Sequence, residues 1–435
     1  MSKVDDPVDF FRSVAAQHRR CFWLDGGGAR EWSGRRSIIG WLDEDDVSLS
    51  WSAARREVAL HAAGVSTVVG DDVFTVLEDR VAAGEQWFGY LGYAARTDLP
   101  AAPDPTLPDA VWMRPREVWV FEHAVGPSGD SPVGPSGDSP LGRGVRHLEG
   151  VATASKRQTS PPGSYAAAFA TVQEHLHAGN SYEVNLTHRL TRTSDLDPVT
   201  AYLRLRELNP APYSGFLQHD VEGARAWLLS SSPERYAVVT ADRHLETKPI
   251  KGTTPRGASA EEDEHHRERL ARDPKTRAEN LMIVDLLRND LSLVCEVGSV
   301  EVPALMQVET YESVHQLVST VRGRLRDDVS TVAALRALFP AGSMTGAPKL
   351  RTMEVIEEVE STARGAYAGA FGWISGDGPA DLGVVIRSLT TDGSGTWTLG
   401  TGGGITVKSD VAEEWAESEW KAERLLRVFD PPAAL

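Results

Sequence analysis

Cysteine is the first scarcity. Cys21 and Cys295 are the only two in 435 residues, and neither sits in a metal-ligand spacing. So few thiols exclude a disulfide framework and point to a reducing compartment. Positive charge is short as well: 45 Lys and Arg stand against 62 Asp and Glu, a net charge of −17. That argues against nucleic acid or an anionic membrane as partner, because counterion release needs clustered Lys and Arg. It leaves room for a small anionic substrate gripped by local arginines. Long apolar runs are also missing. No stretch of about 18 apolar residues occurs, so no membrane span is expected. The start, MSKVDDPVDFF, has neither an apolar h-region nor a small-residue cleavage site, so a cytoplasmic location is expected.

What is present is ordinary in bulk. The hydrophobic fraction of 41% and charged fraction of 25% fit a globular protein. The length allows a large core, as one big domain or two smaller ones. Val8, Phe11, Val14 and Ala15 fall at helical spacing and predict a short amphipathic helix within residues 1–20. Phe22–Gly27 and Gly34–Leu42 read as two strands around a glycine-rich turn. Gly84–Pro100, GEQWFGYLGYAARTDLP, reads as an apolar helix whose Gly89 and Gly92 permit close packing. Residues 126–141 are a tandem repeat, GPSGDSPV then GPSGDSPL, which cannot bury apolar surface. Three regions follow: 1–125, a flexible loop at 126–162, and 163–435.

In the third region, Ser164–Leu190 predicts a helix capped by Gly179 and then a strand. Residues 259–275 are a charged run, best read as a solvated helix face. Lys275–Asp290 has helical period, and an internal ion pair of its RND end would fix that helix. The closing stretch DVAEEWAESEWKAERLL places Glu414, Glu417 and Lys421 on one helix face. By itself that is an exposed acidic helix.

The stretch around which the rest is arranged is Leu245–Gly257, LETKPIKGTTPRG. Its prolines and glycines predict a rigid, irregular segment. Lys251 there is a nucleophile if burial, or positive charge from Lys248 or Arg256, lowers its pKa. Taken alone, the stretch reads as a surface turn with solvated lysines.

The surroundings change that reading. LSSSPERY (Leu229–Tyr236), PIKGT, FPAGSMTGAPK (Phe339–Lys349), RGAYAGAFGW (Arg364–Trp373), GVVIRSL (Gly383–Leu389) and TGGGITVKSD (Thr401–Asp410) follow one another in register. In this order they resemble the chorismate-binding enzymes, which include anthranilate, aminodeoxychorismate, isochorismate and salicylate synthases. The resemblance covers about Ser164 to Val428, with weaker matches back to about Phe22. At Lys251 the branches differ. The sequence looks like the PIKGT of aminodeoxychorismate synthases, not the PIAGT of anthranilate synthases.

The resemblance implies an α+β fold like that of anthranilate synthase component I: two large, mainly antiparallel sheets packed as an α/β/β/α sandwich. It implies amination of chorismate by ammonia to 4-amino-4-deoxychorismate, the precursor of 4-aminobenzoate for folate or a specialised metabolite. Lys251 would add covalently to the ring and Glu234 would protonate the leaving hydroxyl. Thr345, Gly346, Tyr367, Arg387, Gly402, Gly403 and Lys421 would contact substrate. Glu279, Glu414 and Glu417 would hold magnesium, which oxygen-only ligands favour over zinc. Asp25, Ser33, Arg36 and Tyr213 would line a tryptophan pocket, although plain strand and turn roles serve these residues equally well. A glutamine amidotransferase subunit would supply ammonia, since neither Cys21 nor Cys295 has the surroundings of a nucleophile elbow.

Two positions depart from the family pattern. Glu183 replaces the lysine base of isochorismate-forming members and the glutamine usual in ammonia users. Gln316 stands where a histidine is usual, and its neighbour His315 should face the other side of the strand. The rival readings are a 2-amino-product enzyme of the anthranilate synthase type, an isochorismate-forming isomerase, and a non-catalytic chorismate-binding relative.

Overall fold

The structure is a computed structural model that describes residues 6–26, 36–123, 160–311 and 314–431. Ser33 and the duplicated GPSGDSP segment lie outside them.

Two antiparallel sheets hold the described strands. The nine-stranded sheet runs in the order Gly346–Ala347, Glu183–Thr193, Thr396–Ile405, Ser388–Thr391, Ala226–Ser232, Tyr213–His219, Arg20–Asp25, Arg36–Leu42 and Val118–Glu122. The twelve-stranded sheet runs Ile250–Pro255, Val314–Arg324, His244–Lys248, Arg235–Val239, Ala380–Val384, Ala370–Ser375, Gln86–Leu91, Ala110–Met113, Ser48–Ser52, Glu57–Ala62 and Val65–Gly70, with Glu301–Thr310 also paired to Val314–Arg324. Strands from the first 125 residues complete both sheets.

The sheets pack face to face. Phe22, Leu217 and Leu228 of the nine-stranded sheet share one buried cluster with Phe88, Val111 and Phe371 of the other. Phe22 stacks on Phe88 with ring centroids 4.2 Å apart, worth about 1 kcal/mol beyond the buried area. Phe11 and Tyr202, from helices on the outer face, pack on Trp23 and Phe216. Ile283 and Leu287 cover the outer face of the twelve-stranded sheet. This is the α/β/β/α sandwich expected from the sequence.

The helices start where the sequence supplies caps. Asp6 precedes Pro7–Gln17 and accepts from Val8 N at 2.8 Å. Asp273 precedes Pro274–Ser292 and accepts from Thr276 N at 2.7 Å. Asp410 precedes Val411–Leu426 and accepts from Ala412 N and Glu413 N at 2.9 and 3.1 Å. In each case a side-chain oxygen serves an otherwise orphaned amide, and proline stands at the first position of the first two. The Pro274–Ser292 helix is pinned at its end by an Asp290–Lys349 ion pair at 2.8 Å.

Two local expectations need correction. Gly84–Pro100 is not a helix: Gln86–Leu91 is a strand, followed by a short 3-10 turn at Tyr93–Ala95. The strand lies between Ala370–Ser375 and Ala110–Met113 and is buried on both faces, which hides the alternation that marks an ordinary strand. Leu245–Gly257 is more regular than its prolines suggest. His244–Lys248 and Ile250–Pro255 are both strands, broken at Pro249, and both pair with Val314–Arg324.

Candidate active site

Lys251 sits on an irregularity. Pairing of Ile250–Pro255 with Val314–Arg324 loses register between Ile250 and Thr253. Within it Gly252 has φ +80°, and a Cβ there would stand 2.4 Å from the Thr276 methyl, so only glycine fits. Such a bulge re-aims the neighbouring side chain. Lys251 Nζ reaches across to the nine-stranded sheet and donates to Glu183 Oε1 at 2.5 Å. Glu183 is fully buried, and its other oxygen has no hydrogen-bond partner among the described residues.

Burial alone would lower the Lys251 pKa, but the carboxylates of Glu183, Glu279 and Glu234 outweigh it and the net shift is upward. This overturns the expectation of a lysine made neutral by cationic neighbours. Lys248 is paired with Glu309 at 2.6 Å and Arg256 with Asp263 at 2.7 Å.

Glu234 occupies the turn between Ala226–Ser232 and Arg235–Val239, where the chain leaves one sheet for the other. Ser343 Oγ donates to its Oε1 at 2.6 Å. Burial pushes this carboxyl up to about 7, against the opposing pull of Ser343 and Lys251. A carboxyl half-protonated at neutral pH is suited to general acid work.

The acidic face of the last helix also comes to this place. Lys275 Nζ binds Glu414 Oε1 at 2.8 Å, and Ser409 Oγ donates to the same oxygen at 2.6 Å. Lys421 Nζ lies 2.8 Å from Glu417 and 2.9 Å from the Gly402 carbonyl. Lys421 leads the cations, Lys275 and Lys251 among them, that hold the Glu417 carboxyl below its ordinary value. Burial pushes Glu279 up to about 7, opposed by Lys251, and its buried Oε1 has no hydrogen-bond partner among the described residues. A Cβ on Gly404 would meet Glu183 Oε1 at 2.2 Å, and one on Gly403 would lie 3.3 Å from Glu414 Oε2. The glycine run thus leaves space for carboxylates.

The metal expectation meets a mixed picture. Among the described residues no three His, Cys, Asp or Glu side chains form a ready-made metal shell. The donor chemistry nonetheless fits a hard cation: Glu279, Glu414 and Glu417 are all carboxylates, and Glu279 Oε1 is a buried acceptor with no donor among the described residues.

Arg387 and Tyr367 complete the cluster. Arg387 has φ +52° and makes no hydrogen bond or ion pair with any described residue. Burial lowers its pKa, with Tyr367 and Glu417 among the groups opposing this. An arginine in a rarely populated conformation, with no ion-pair partner among the described residues, is suited to a ligand carboxylate. Tyr367 lies under the Arg189 guanidinium at 4.6 Å and lines a small cavity with Asp104, Arg189 and Thr398.

Other expected substrate residues are placed as framework. Thr345 is fully buried, and Gly346–Ala347 pairs with Glu183–Val184. Gly402 pairs with Thr187. They hold the strand that carries Glu183. Of the expected tryptophan-pocket residues that are described, Asp25, Arg36 and Tyr213 stand at one end of three neighbouring strands, with their side chains turned to different partners. Arg36 is exposed and paired with Glu122 at 2.7 Å. Asp25 turns outward to Tyr202 and Arg206, whereas Tyr213 turns inward to Asp381 at 3.0 Å and Arg235 at 2.8 Å. His315 is engaged by Asp263 and Thr310, both at 2.9 Å, so the strand alternation leaves Gln316 on the opposite face, as expected.

Sequence reasoning missed Lys275 and Ser343, and took Glu183 only as a departure. Lys275 was findable, since it lies one turn before Glu279 on the same helix. Ser343 lay inside a motif already singled out.

Known proteins bear on this geometry. An aminodeoxychorismate synthase of Streptomyces pristinaespiralis is 51% identical over 248 residues, which are 57% of this chain and 34% of that protein. Component 1 of the Klebsiella aerogenes aminodeoxychorismate synthase is 44% identical over 278 residues, 64% of this chain and 60% of that one. The chain therefore spans about a third of the first relative and 60% of the second. The crystal structure of anthranilate synthase component I from Streptococcus pneumoniae TIGR4 superposes with a TM-score of 0.71 at 25% identity, covering 90% of this chain and 92% of that one. Residues 19–427 match the family described as chorismate binding enzyme, so the protein whose Lys251, Glu234 and acidic last helix converge here belongs to the chorismate-binding enzymes.

Proposed function

We propose that the chain is the synthase component of an aminodeoxychorismate synthase, converting chorismate and ammonia to 4-amino-4-deoxychorismate and water. The observation that carries this reading is Lys251, within PIKGT, aimed by a bulge into a ring of buried carboxylates. Relatives named for that activity, at 51% and 44% identity, support it.

In this reading Arg387, with Tyr367 beside it, takes a substrate carboxylate. Glu234, protonated near neutrality, gives its proton to the departing 4-hydroxyl. Lys251 as a free amine forms a bond to the ring while that hydroxyl leaves as water. Ammonia then bonds to the ring carbon that lost the hydroxyl, and the lysine–ring bond breaks to return Lys251. Glu279, Glu414 and Glu417 would hold magnesium, which would supply neutralising charge for the ring carboxylate. A glutamine amidotransferase subunit supplies ammonia. Supporting this, both cysteines are buried: burial raises the Cys21 pKa strongly and pushes Cys295 up to about 11, which suits neither for nucleophilic work. The same two free thiols support a cytoplasmic setting; among the described residues no helix is long and apolar enough to cross a membrane.

The second reading is an anthranilate synthase type of enzyme, favoured by the structural likeness to component I of that enzyme. Product analysis separates the two. The purified chain is given chorismate, magnesium and an ammonium salt, with and without a lyase that releases 4-aminobenzoate. 4-Aminobenzoate appearing only with the lyase is the expected result; anthranilate or isochorismate as main product would overturn the proposal.

A further inference from the structure

Lys251 is placed to form a bond, yet its environment keeps it charged. An ammonium has no lone pair, so a proton must leave before it can act. Four carboxylates influence this lysine: Glu183 from the strand Glu183–Thr193, Glu279 from the helix Pro274–Ser292, Glu234 from the turn between sheets, and Glu417 from the last helix. Only Glu183 touches it, at 2.5 Å; among the described residues no other carboxylate lies within ion-pair distance of Nζ. Glu234 is needed with its own proton in place. The second oxygen of Glu183 is buried without a hydrogen-bond partner among the described residues, so Lys251 is the one side chain seen to donate to this carboxylate there. The absent side chain at Gly404 leaves its position open.

We propose that Glu183 is the proton acceptor that makes Lys251 nucleophilic, a role that rests on the covalent reading above. A proton passes from Nζ to Glu183 Oε1, leaving a neutral amine and a neutral carboxylic acid. The amine's freed electron pair forms the bond to the ring as the hydroxyl departs with the proton of Glu234. When ammonia displaces the lysine, the amine recovers its proton from Glu183, and the new ring ammonium gives its surplus proton to Glu234. Burial opposes the ammonium and only the surrounding carboxylates hold it charged, so the departing proton needs an acceptor in direct contact. The departure at position 183 from both common family residues thus has a function: a glutamate can take a proton from lysine, which glutamine cannot.

A plain ion pair and a proton acceptor predict opposite effects of Glu183→Gln. Removing a neighbouring anion lowers the lysine pKa, so loss of a mere ion pair would speed bond formation. Loss of the acceptor would slow it. The test mixes the full chain with chorismate and magnesium in the absence of ammonia. After an acid quench, the adduct on Lys251 is measured by intact mass and peptide mapping. At pH 7.5, Glu183→Gln should form the adduct about 100-fold more slowly than wild type, the usual scale for losing a general base. The deficit should shrink as pH rises to 10 and solvent takes over the proton, and Glu183→Asp should restore part of the rate. Carbamylation of Lys251 by cyanate, which requires only a free amine, should shift to lower pH in Glu183→Gln, showing that the lysine remains folded and reachable. Adduct formation in Glu183→Gln as fast as in wild type, or faster, would overturn the role of Glu183 while leaving the covalent reading standing. Absence of any adduct in wild type would overturn both.

Discussion

The buried charges around Glu360 and those around Lys251 are finished differently. Around Glu360, both carboxylate oxygens are served, though Arg189 Nη2, 3.9 Å from Oε2, is buried without a hydrogen-bond partner among the described residues. Oε1 accepts from Thr187 N at 2.8 Å, Thr187 Oγ1 at 2.9 Å and Arg364 Nη2 at 2.7 Å, and Oε2 accepts from Arg364 Nε at 2.9 Å. Arg364 also donates to the Met344 and Asn185 carbonyls at 2.6 and 2.7 Å. Around Lys251, by contrast, Glu183 Oε2 and Glu279 Oε1 are buried without hydrogen-bond partners among the described residues, and Arg387 forms no ion pair with any of them. A buried carboxylate with both oxygens satisfied rigidifies a fold; buried carboxylate oxygens left unsatisfied call for a functional explanation. The first cluster therefore ties elements together, and the second is held ready for a ligand.

The strongest test of that contrast is Lys251→Ala. It should cut formation of the 4-amino product by roughly a thousandfold or more, as expected for loss of a covalent nucleophile, while circular dichroism shows an intact fold. A 2-amino product at low rate is compatible; unchanged rate and product would remove the covalent step.

Next comes the metal set. Glu279→Ala or Glu417→Ala should reduce turnover to background, and excess chelator should do the same to wild type until magnesium is restored. Full activity in chelator would sink the assignment.

The other cluster should respond in stability. Glu360→Ala strands a buried Arg364 and should cost about 3–5 kcal/mol in urea unfolding. Glu279→Gln, which neutralises a carboxylate already uncomfortable in its charged form, should leave stability level or raise it. Equal losses from both would erase the distinction between the clusters.

The smallest effect concerns Glu234. Its carboxyl titrates at about 7 when folded, against 4.5 for an ordinary glutamate. Between those values the folded state binds the proton more tightly than the unfolded chain, so stability falls as pH rises through this window. Glu234→Gln should remove that slope and leave the chain more stable above pH 7, by on the order of 3 kcal/mol at most. A pH–stability curve identical to wild type would contradict the assignment.

Much of this was readable from the sequence, for identifiable reasons. The ordered motifs located Lys251, Glu234, Arg387 and the acidic last helix, since local spacing and caps set where those side chains stand. The fold class came by the same route. The Gln86–Leu91 strand was misread because a strand covered on both faces loses its period of two. The charge state of Lys251 was misread because its neighbours in sequence, Lys248 and Arg256, are neutralised by partners outside the motif, Glu309 far along the chain and Asp263 on the next helix. The carboxylate that touches it, Glu183, lies 68 residues earlier. Electrostatics depends on distance in space, which one-dimensional spacing does not record.

The Lys251–Glu183 contact spans the sandwich, one residue from each sheet, while Glu234 rides the segment that links them. The site therefore works as a caliper set by the thickness of the hydrophobic layer between the sheets. Enlarging or trimming a residue in that layer, such as Phe22 or Phe88, would open or close the jaws without altering any group that performs chemistry. With misplacements of about 1 Å able to cost a hundredfold in rate, the packing of this remote aromatic pair becomes a determinant of turnover, and an evolving chain could tune its speed there while leaving every motif untouched.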